Sequence, residues 1–368
     1  MAPRLRDLLL QALVLGLVAW GLLALLAEAR ARMAAQGIPF SFGFLREEAG
    51  FSLSEGLTYA PGEGLRPFYP SDTYLQALLA GFLNTLKVAL LGLVLSTLLG
   101  LLVAAGRLSA NPLARALGAG YVEAIRNTPL LLQLFVWYFA ILLKLPPWEK
   151  ALSFGGALLS QRGLVLPEVG LGQGALGLAL GLLAFALLRR RLPLALGALL
   201  LGLLLGWVLG GPPLYLLPPV KEAYGARGGI LLSPEFAALL FGLVVYTAAF
   251  IAEVFRGAIL AVPKGQWEAA YALGLEGRDA FRLIVLPQAV RIAVPPLANQ
   301  YLNLAKNTSL GVAVGYPDLF SVYGTVANQS GRSLEAILLV MGVYLSLSLG
   351  ISLAVNTYNR RVALRWRL

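Results

Sequence analysis

The sequence contains no cysteine and no histidine. Disulfides, cysteine nucleophiles, metal sites built from these two side chains and acid–base catalysis by histidine are therefore excluded. Charged residues are also scarce, at 13% of the 368 residues against roughly 25% in soluble domains. Most chemistry that needs a side chain tuned near neutral pH is missing, so an enzyme is a poor interpretation of this chain.

Long apolar runs dominate the sequence instead. Hydrophobic residues make up 58% of the chain, and the mean hydropathy is +0.77. The runs lie near the roughly 20 residues that a membrane-spanning helix needs, and they lack the alternation of barrel strands. The predicted fold class is therefore an all-α polytopic membrane protein. Eight spans are predicted, over Leu8–Ala27, Leu75–Ala105, Leu130–Leu145, Leu171–Leu188, Leu192–Leu209, Phe236–Phe255, Ala289–Val312 and Leu334–Val355.

The basic residues indicate how the chain is oriented. The net charge of +11 would suit nucleic acid or anionic lipid, but the charges lie between the apolar runs, as in membrane proteins. With the N-terminus inside, the inner segments hold 17 Lys and Arg residues and the outer segments hold 10. Because Lys and Arg are enriched on the cytoplasmic side, a topology with both termini inside is predicted.

Four segments stand apart from the main bundle by composition. Residues 1–29 are expected to form an N-terminal membrane anchor, with a cleaved signal peptide as the alternative, because the apolar run exceeds that of a signal peptide. Residues 30–73 are expected to be a periplasmic loop of unassigned structure. Residues 171–209 are interpreted as a lipid-facing hairpin inserted between spans, and the basic tail 358–368 as an anchor at the inner membrane face.

The inner loop 256–287 carries the most specific pattern. Pro263-Lys264-Gly265 interrupts the chain, and Gln266–Leu273 is long enough for about two helical turns. Gly274 then stands where the end of a helix favours a left-handed residue. Glu268 is expected in the first turn, where it complements the helix dipole.

The neighbouring small residues suggest what this short helix is for. Ala269, Ala270 and Ala272 are expected to give a low face that another protein can approach closely. Pro287 is expected in the first turn of the next helix, where its missing N–H costs nothing. The loop is too short to be a domain, so it is interpreted as a surface helix that contacts another chain.

The spacing within this loop matches a known motif. The residues concerned are Glu268, Ala269, Ala270, Gly274, Ile284, Leu286 and Pro287. They are similar to the EAA loop in permease subunits of ABC importers, and the chain most resembles the long-form permeases of general L-amino-acid uptake systems, within the polar-amino-acid family. Residues 121–133, 246–253 and 299–310 also resemble that family, and the resemblance covers about Gly81–Val355.

The resemblance implies a fold and a set of partners. It implies a type I ABC-importer transmembrane domain over residues 74–357, in the bacterial inner membrane, with the seven motif residues coupling it to a pair of ATP-binding subunits. ATP and Mg²⁺ would bind to those subunits, and no cofactor is expected in this chain, which has no phosphate-loop motif. A second permease, homologous rather than identical, and a periplasmic amino-acid-binding protein would complete the importer.

Polar residues inside the predicted spans are candidates for the translocation path, because such residues are costly in a membrane. They are Lys87, Asn299, Asn303, Lys306 and Asn307, and the last four share one helical face. The alternative is that these side chains hydrogen-bond to neighbouring helices and hold the bundle together. For Glu253, an ion pair with Arg256 at the end of a helix is the favoured interpretation.

Two other classes of protein fit the sequence less well than a permease. An ion-coupled secondary amino-acid transporter often has internal repeats and broken helices, and it would leave the loop 256–287 unexplained. An intramembrane enzyme needs a buried nucleophile, a pair of acids or a metal site, and the residue types for these are mostly missing. An ABC permease therefore accounts for the most features.

Overall fold

The computed structural model describes residues 5–35, 37, 40–188 and 191–364. The chain divides into two compact units, Met1–Asn84 with Pro317–Leu347, and Thr85–Tyr316 with Ser348–Leu368. The helices are α1 (Leu5–Ala35), α2 (Tyr74–Leu108), α3 (Pro112–Arg126), α4 (Leu130–Phe135), α5 (Ala175–Leu188), α6 (Leu192–Gly210), α7 (Pro234–Leu260), α8 (Lys264–Ala272), α9 (Gly277–Asp279), α10 (Leu286–Asn307), α11 (Leu319–Ser330) and α12 (Ser333–Leu364).

Ten short strands accompany the helices in the described residues, and none of them was predicted. They are β1 (Leu57–Ala60), β2 (Gly64–Pro67), β3 (Leu152–Phe154), β4 (Ala157–Ser160), β5 (Gly163–Leu166), β6 (Glu168–Leu171), β7 (Leu214–Leu217), β8 (Val220–Lys221), β9 (Ala226–Arg227) and β10 (Ile230–Leu232). All lie in segments that the charge distribution predicts to be outside the membrane, except that β6 ends at Leu171, the first residue of the fourth predicted span. Residues 365–368 of the predicted tail, and Arg189 and Arg190 of the predicted hairpin, lie outside the described residues.

The long apolar helices agree with most of the predicted spans. Among the described residues, six helices are long and apolar enough to cross a membrane: Arg6–Ala35, Tyr74–Leu108, Leu192–Gly210, Pro234–Leu260, Gly277–Val314 and Ser333–Thr357. A seventh span is possible if Pro112–Arg126 and Leu130–Lys144, which meet at a bend of 103°, count together. The multi-pass helical architecture is thus confirmed, while the number eight stays a prediction.

The fourth predicted span begins too early. Leu171 ends strand β6, and α5 starts only at Ala175, which leaves a helix of 14 residues. At 1.5 Å per residue α5 is about 21 Å long, shorter than the roughly 30 Å hydrocarbon core of a bilayer. Periodicity could not reveal this start, because residues rich in Leu and Gly lie on both sides of the turn.

Helices α5 and α6 pack against each other through glycines. A Cβ atom added to Gly202 would lie 2.6 Å from the Cα of Gly181, and one added to Gly206 would lie 3.0 Å from the Cα of Gly177. These four residues form two small-xxx-small pairs, which allow close approach of helix backbones in membranes. The outward faces carry exposed leucines, as expected for a lipid-facing hairpin.

The seventh predicted span, in contrast, begins too late. The chain is helical from Gly277 to Val314. Ala280–Val285 forms π-helical turns that lead directly into α10, and Thr308–Val314 continues it as a 3₁₀ helix. Pro287 does lie in the first turn of α10, as expected, although no loop precedes that turn.

The outer segment of the first unit is more ordered than the sequence indicated. Strands β1 and β2 pair as an antiparallel hairpin, and the Thr58 hydroxyl donates a 2.9 Å hydrogen bond to the Gln76 carbonyl at the start of α2. Arg66 donates two hydrogen bonds, of 2.8 and 2.6 Å, to the Asp72 carboxylate, and these bonds lower the pKa of Asp72. This segment shares a hydrophobic core with the first turns of α2 and with α11 and α12.

The second unit contains the central helices and a small outer sheet. Strands β10, β5, β4 and β3 form an antiparallel sheet in that order. Helix α7 starts beside it, where the Ser233 hydroxyl accepts the Phe236 N–H at 3.1 Å as an N-cap. The helix buries about half of its residues against the helices around it, so it forms the centre of this unit.

Candidate functional site

Helix α8 in the inner loop is bounded by Pro263 and Gly274. It covers nine residues and begins at Lys264, two residues earlier than predicted. Glu268 is therefore the fifth residue of the helix and lies outside the first turn, so the expectation that it complements the dipole there is wrong. The earlier start follows from Pro263, whose ring fixes a backbone angle suited to the entrance of a helix.

The other end of α8 is closed by a Schellman motif. Gly274 has a φ of +77°, as the sequence predicted. The Leu275 N–H donates to the Ala270 carbonyl at 3.1 Å, and the Gly274 N–H donates to the Tyr271 carbonyl at 2.9 Å. These two bonds satisfy carbonyls that the helix leaves unpaired, and a residue with a side chain would be strained at this φ.

One face of α8 is attached to the rest of the second unit. Trp267 stacks on Phe281 with ring centroids 6.3 Å apart and an interplanar angle of 27°. The Gln288 amide donates a 3.0 Å hydrogen bond to the Gln266 side chain, which links α8 to α10. Ala270 is only 2% exposed, so it faces this internal contact. Because the helix is braced on this side, its opposite face is held in a defined position.

The opposite face of α8 is open. Glu268, Ala269 and Ala272 are exposed, but the buried Ala270 is not part of this face, which corrects the expectation of three exposed alanines. Tyr271 is 51% exposed and Leu273 is 80% exposed. We refer to Glu268, Ala269, Tyr271, Ala272 and Leu273, together with the exposed Gly274, as the coupling face.

Sequence reasoning missed Tyr271 and Leu273 as members of this face. The available signal was Leu273, a large apolar side chain just before the glycine that ends the helix. Packing within the chain does not explain a leucine that is exposed to water at this position. The remaining motif residues lie beyond the helix. Ile284 and Pro287 are half-buried, while Leu286 is exposed.

The candidate path residues of α10 do share a surface. Asn299, Asn303 and Lys306 are exposed and Asn307 is half-buried, whereas Leu297 and Leu304 on the opposite side are buried. Within the described part of the chain, the four polar side chains make no hydrogen bond. Most of this polar face of α10 is therefore open to solvent or to a partner in the described part of the chain.

Lys87 occupies a different environment. Its ammonium lies 4.4 Å from the ring centroid of Phe236 and 5.6 Å from that of Tyr316. Cation–π contacts of this kind hold a half-buried cation in place. The structure thus places Lys87 against the aromatic residues near the start of α7, and not on the exposed face of α10.

An ion cluster and a cavity lie near the inner end of α7. Glu253 accepts hydrogen bonds from Arg107 and from Arg256, so the expected pair with Arg256 is confirmed and Arg107 is an additional partner. Next to it is a cavity of about 370 Å³, lined by Arg126, Phe250, Glu253, Val254, Gly257, Ala258, Ile292, Pro296 and Gln300. The cavity offers both charge signs and an amide, a combination that suits a small zwitterion.

Comparisons with known proteins agree with these features. The family described as "Binding-protein-dependent transport system inner membrane component" matches residues 96–367. The chain is 42% identical to the putative amino-acid ABC transporter permease YhdX of Escherichia coli K12, over 98% of this chain and 95% of that protein. It is 43% identical to the general L-amino acid transport system permease AapQ of Rhizobium johnstonii, over 88% of this chain and 84% of that protein.

A solved structure of an amino acid ABC transporter has the same fold. It covers 78% of this chain and 95% of its own, with a TM-score of 0.50 and 22% sequence identity. At that identity the comparison is evidence for the fold alone.

Proposed function

This chain belongs to the family of binding-protein-dependent transport system inner membrane components, and from that premise we propose that its coupling face docks onto the ATPase of an amino-acid importer. The chain is the multi-pass inner-membrane permease of an ABC importer for amino acids, with the fold of a type I importer transmembrane domain. It is not an enzyme, because ATP hydrolysis lies in a separate partner. The family supports this function over an ion-coupled secondary transporter.

The bracing of α8 is the observation that carries the proposal. A helix held by Trp267 and Gln266 on one side, and open on the other, transmits movement between a partner and the helix 277–314. Leu273 and Tyr271 supply apolar area for a groove, and Ala269 and Ala272 allow close approach of its walls. Glu268 adds a charge that fixes the orientation of docking. Ile284, Leu286 and Pro287 lie on the helical stretch 277–314 that follows α8, and would carry the movement into α10.

A pair of ATP-binding subunits is the partner on the inner side. The sequence contains no phosphate-loop motif, so ATP and Mg²⁺ would be bound by that pair and not by this chain. A movement powered by nucleotide binding would reach the membrane through the coupling face. This chain needs no cofactor of its own in that scheme.

A second permease would cover the polar face of α10. Asn299, Asn303 and Lys306 are exposed on a membrane-spanning helix, where contact with lipid would be costly. A second permease subunit, which we expect to be homologous and not identical, would line the path from the other side. Amino acids carry a carboxylate and an ammonium, and amides together with Lys306 can bind both. A periplasmic amino-acid-binding protein would deliver them to the outer side.

The absence of cysteine makes the coupling face directly testable. Ala269→Cys gives this chain a single thiol, which can carry a maleimide–diazirine cross-linker in membranes that contain the whole importer. We expect ultraviolet light to yield an adduct whose digest contains a phosphate-loop peptide. Adding Gly274→Val should reduce that adduct roughly tenfold, because a side chain at the left-handed position distorts the helix end.

Two control variants define the result. Gly265→Ala changes a glycine of the same helix that has open space around it, and should keep the adduct. Tyr69→Cys places the thiol on the outer segment, where half of the side chain is exposed, and should give no ATPase adduct. Equal ATPase adducts from Tyr69→Cys and Ala269→Cys would contradict the docking proposal.

A further inference from the structure

An apolar cavity of about 300 Å³ lies between the start of α7 and the outer sheet. Leu159 and Leu164 line it from the sheet, and Ala237, Leu240 and Phe241 line it from α7. The only polar side chain of its lining is Ser160, whose hydroxyl accepts the Arg162 N–H at 3.2 Å. Water needs two to four polar partners to stay in a buried site, so this cavity does not suit water or a polar ligand.

In the predicted topology, the mouth of the cavity opens towards the outer half of the membrane. Ile141, Phe154 and Phe241 line it and are 42%, 55% and 48% exposed. Phe241 is the eighth residue of the membrane-spanning helix α7, about 10 Å along the helix from its first residue. In the predicted topology, an exposed phenylalanine at that depth would contact lipid tails in the outer half of the bilayer.

We propose that this cavity binds one acyl chain of an outer-leaflet phospholipid. Transfer of a chain from bilayer to cavity gains little hydrophobic free energy, because both surroundings are apolar. The gain comes from van der Waals contacts that the lining side chains lack while the cavity is empty. The bound chain would reach from α7 to strands β4 and β5, and would thereby hold the outer sheet against the membrane surface.

Photo-cross-linking of lipid tests this site. The purified protein is reconstituted in phosphatidylglycerol and phosphatidylethanolamine vesicles that contain a phospholipid with a diazirine near the end of one acyl chain. We expect adducts on Leu159 and Leu164, residues of the sheet that bulk lipid tails would not reach. Ala237→Trp and Leu159→Trp each fill the cavity and should lower the labelling of Leu164 roughly tenfold.

The control is Leu200→Trp, an equally large change on the exposed face of α6, which should leave the labelling of the sheet unchanged. Undiminished labelling of Leu164 in both cavity variants would overturn the proposal. If the variants misfold, the unmodified chain is labelled with two probes, a diazirine in the lipid headgroup and a diazirine near the end of the acyl chain. Sheet labelling by a diazirine in the lipid headgroup, with none from the chain-end probe, would equally overturn it.

Discussion

Asp318 directly precedes α11, and its side chain is fully buried. It accepts the Ser321 N–H at 2.9 Å as an N-cap, and the Tyr344 hydroxyl at 3.3 Å. Burial disfavours the charged form and raises the pKa of Asp318 to about 6, above the value of about 3.9 for an unfolded chain. The folded state therefore binds the proton more tightly, and this contribution to stability is present below pH 4 and lost as the pH rises to about 6.

The prediction is that Asp318→Asn removes this part of the pH dependence while it keeps the helix cap. A shift of about two pKa units corresponds to roughly 3 kcal/mol of unfolding free energy. Thermal unfolding of the detergent-purified protein should show the wild type losing stability, relative to the variant, between pH 4 and pH 6. Parallel curves for the two proteins over that range would refute the assignment to Asp318.

The residues of the coupling face differ in how much of their structure can be predicted from the sequence. Gly274 was predictable because a left-handed helix end follows from local backbone chemistry. The burial of Ala270 was not predictable, because it follows from the packing of α8 against residues 280–285, which a local pattern does not show. The position of Glu268 in the helix was misjudged for a local reason, since Pro263 starts the helix two residues earlier.

The α5–α6 hairpin is the element whose packing is most sensitive to a single change. Gly202→Leu would place a Cβ atom 2.6 Å from the Cα of Gly181 and force the helices apart. Overpacking of this kind costs about 1–3 kcal/mol. The midpoint temperature of thermal unfolding of the purified variant should therefore be several degrees lower than that of the wild type, as this loss of stability implies.

Gly197→Leu is the matched control, because it lies on the same helix and a Cβ there would meet nothing within 4 Å. It makes the same change in helix propensity without the clash, so it should unfold at a temperature close to that of the wild type. Equal shifts for the two variants would show that close glycine packing does not hold this hairpin together.

Elements differed in how well the sequence predicted them. Long helices such as α2 and α7 were found within a few residues, because an apolar run in a membrane has one stable backbone solution. The strands have two to four residues each, too few for a period to show. The π-helical turns at Ala280–Val285 left no signal either, since they differ from an α-helix only in hydrogen-bond register.

For the whole molecule, the exposed surfaces indicate an incomplete assembly. The coupling face exposes leucine and tyrosine outside the apolar helices, and the polar face of α10 exposes amides and a lysine on a helix long enough to cross a membrane. Each is unfavourable for a chain alone, in water or in lipid respectively. Both are accounted for by an importer in which this chain is one of several subunits.

Transport itself decides what the polar face of α10 does. Asn303→Leu and Lys306→Met each remove a hydrogen-bonding group from this face. Each should lower the uptake of a radiolabelled amino-acid mixture roughly tenfold per molecule of importer. The reason is that a desolvated substrate loses a hydrogen-bond partner worth about 1.4 kcal/mol or more. Ser346→Leu, a polar-to-apolar change on the exposed face of α12, should leave uptake unchanged. Normal uptake at normal expression in both α10 variants would exclude this face from the path. A smaller amount of assembled importer, with unchanged uptake per assembled molecule, would instead mean that these side chains hold two permeases together.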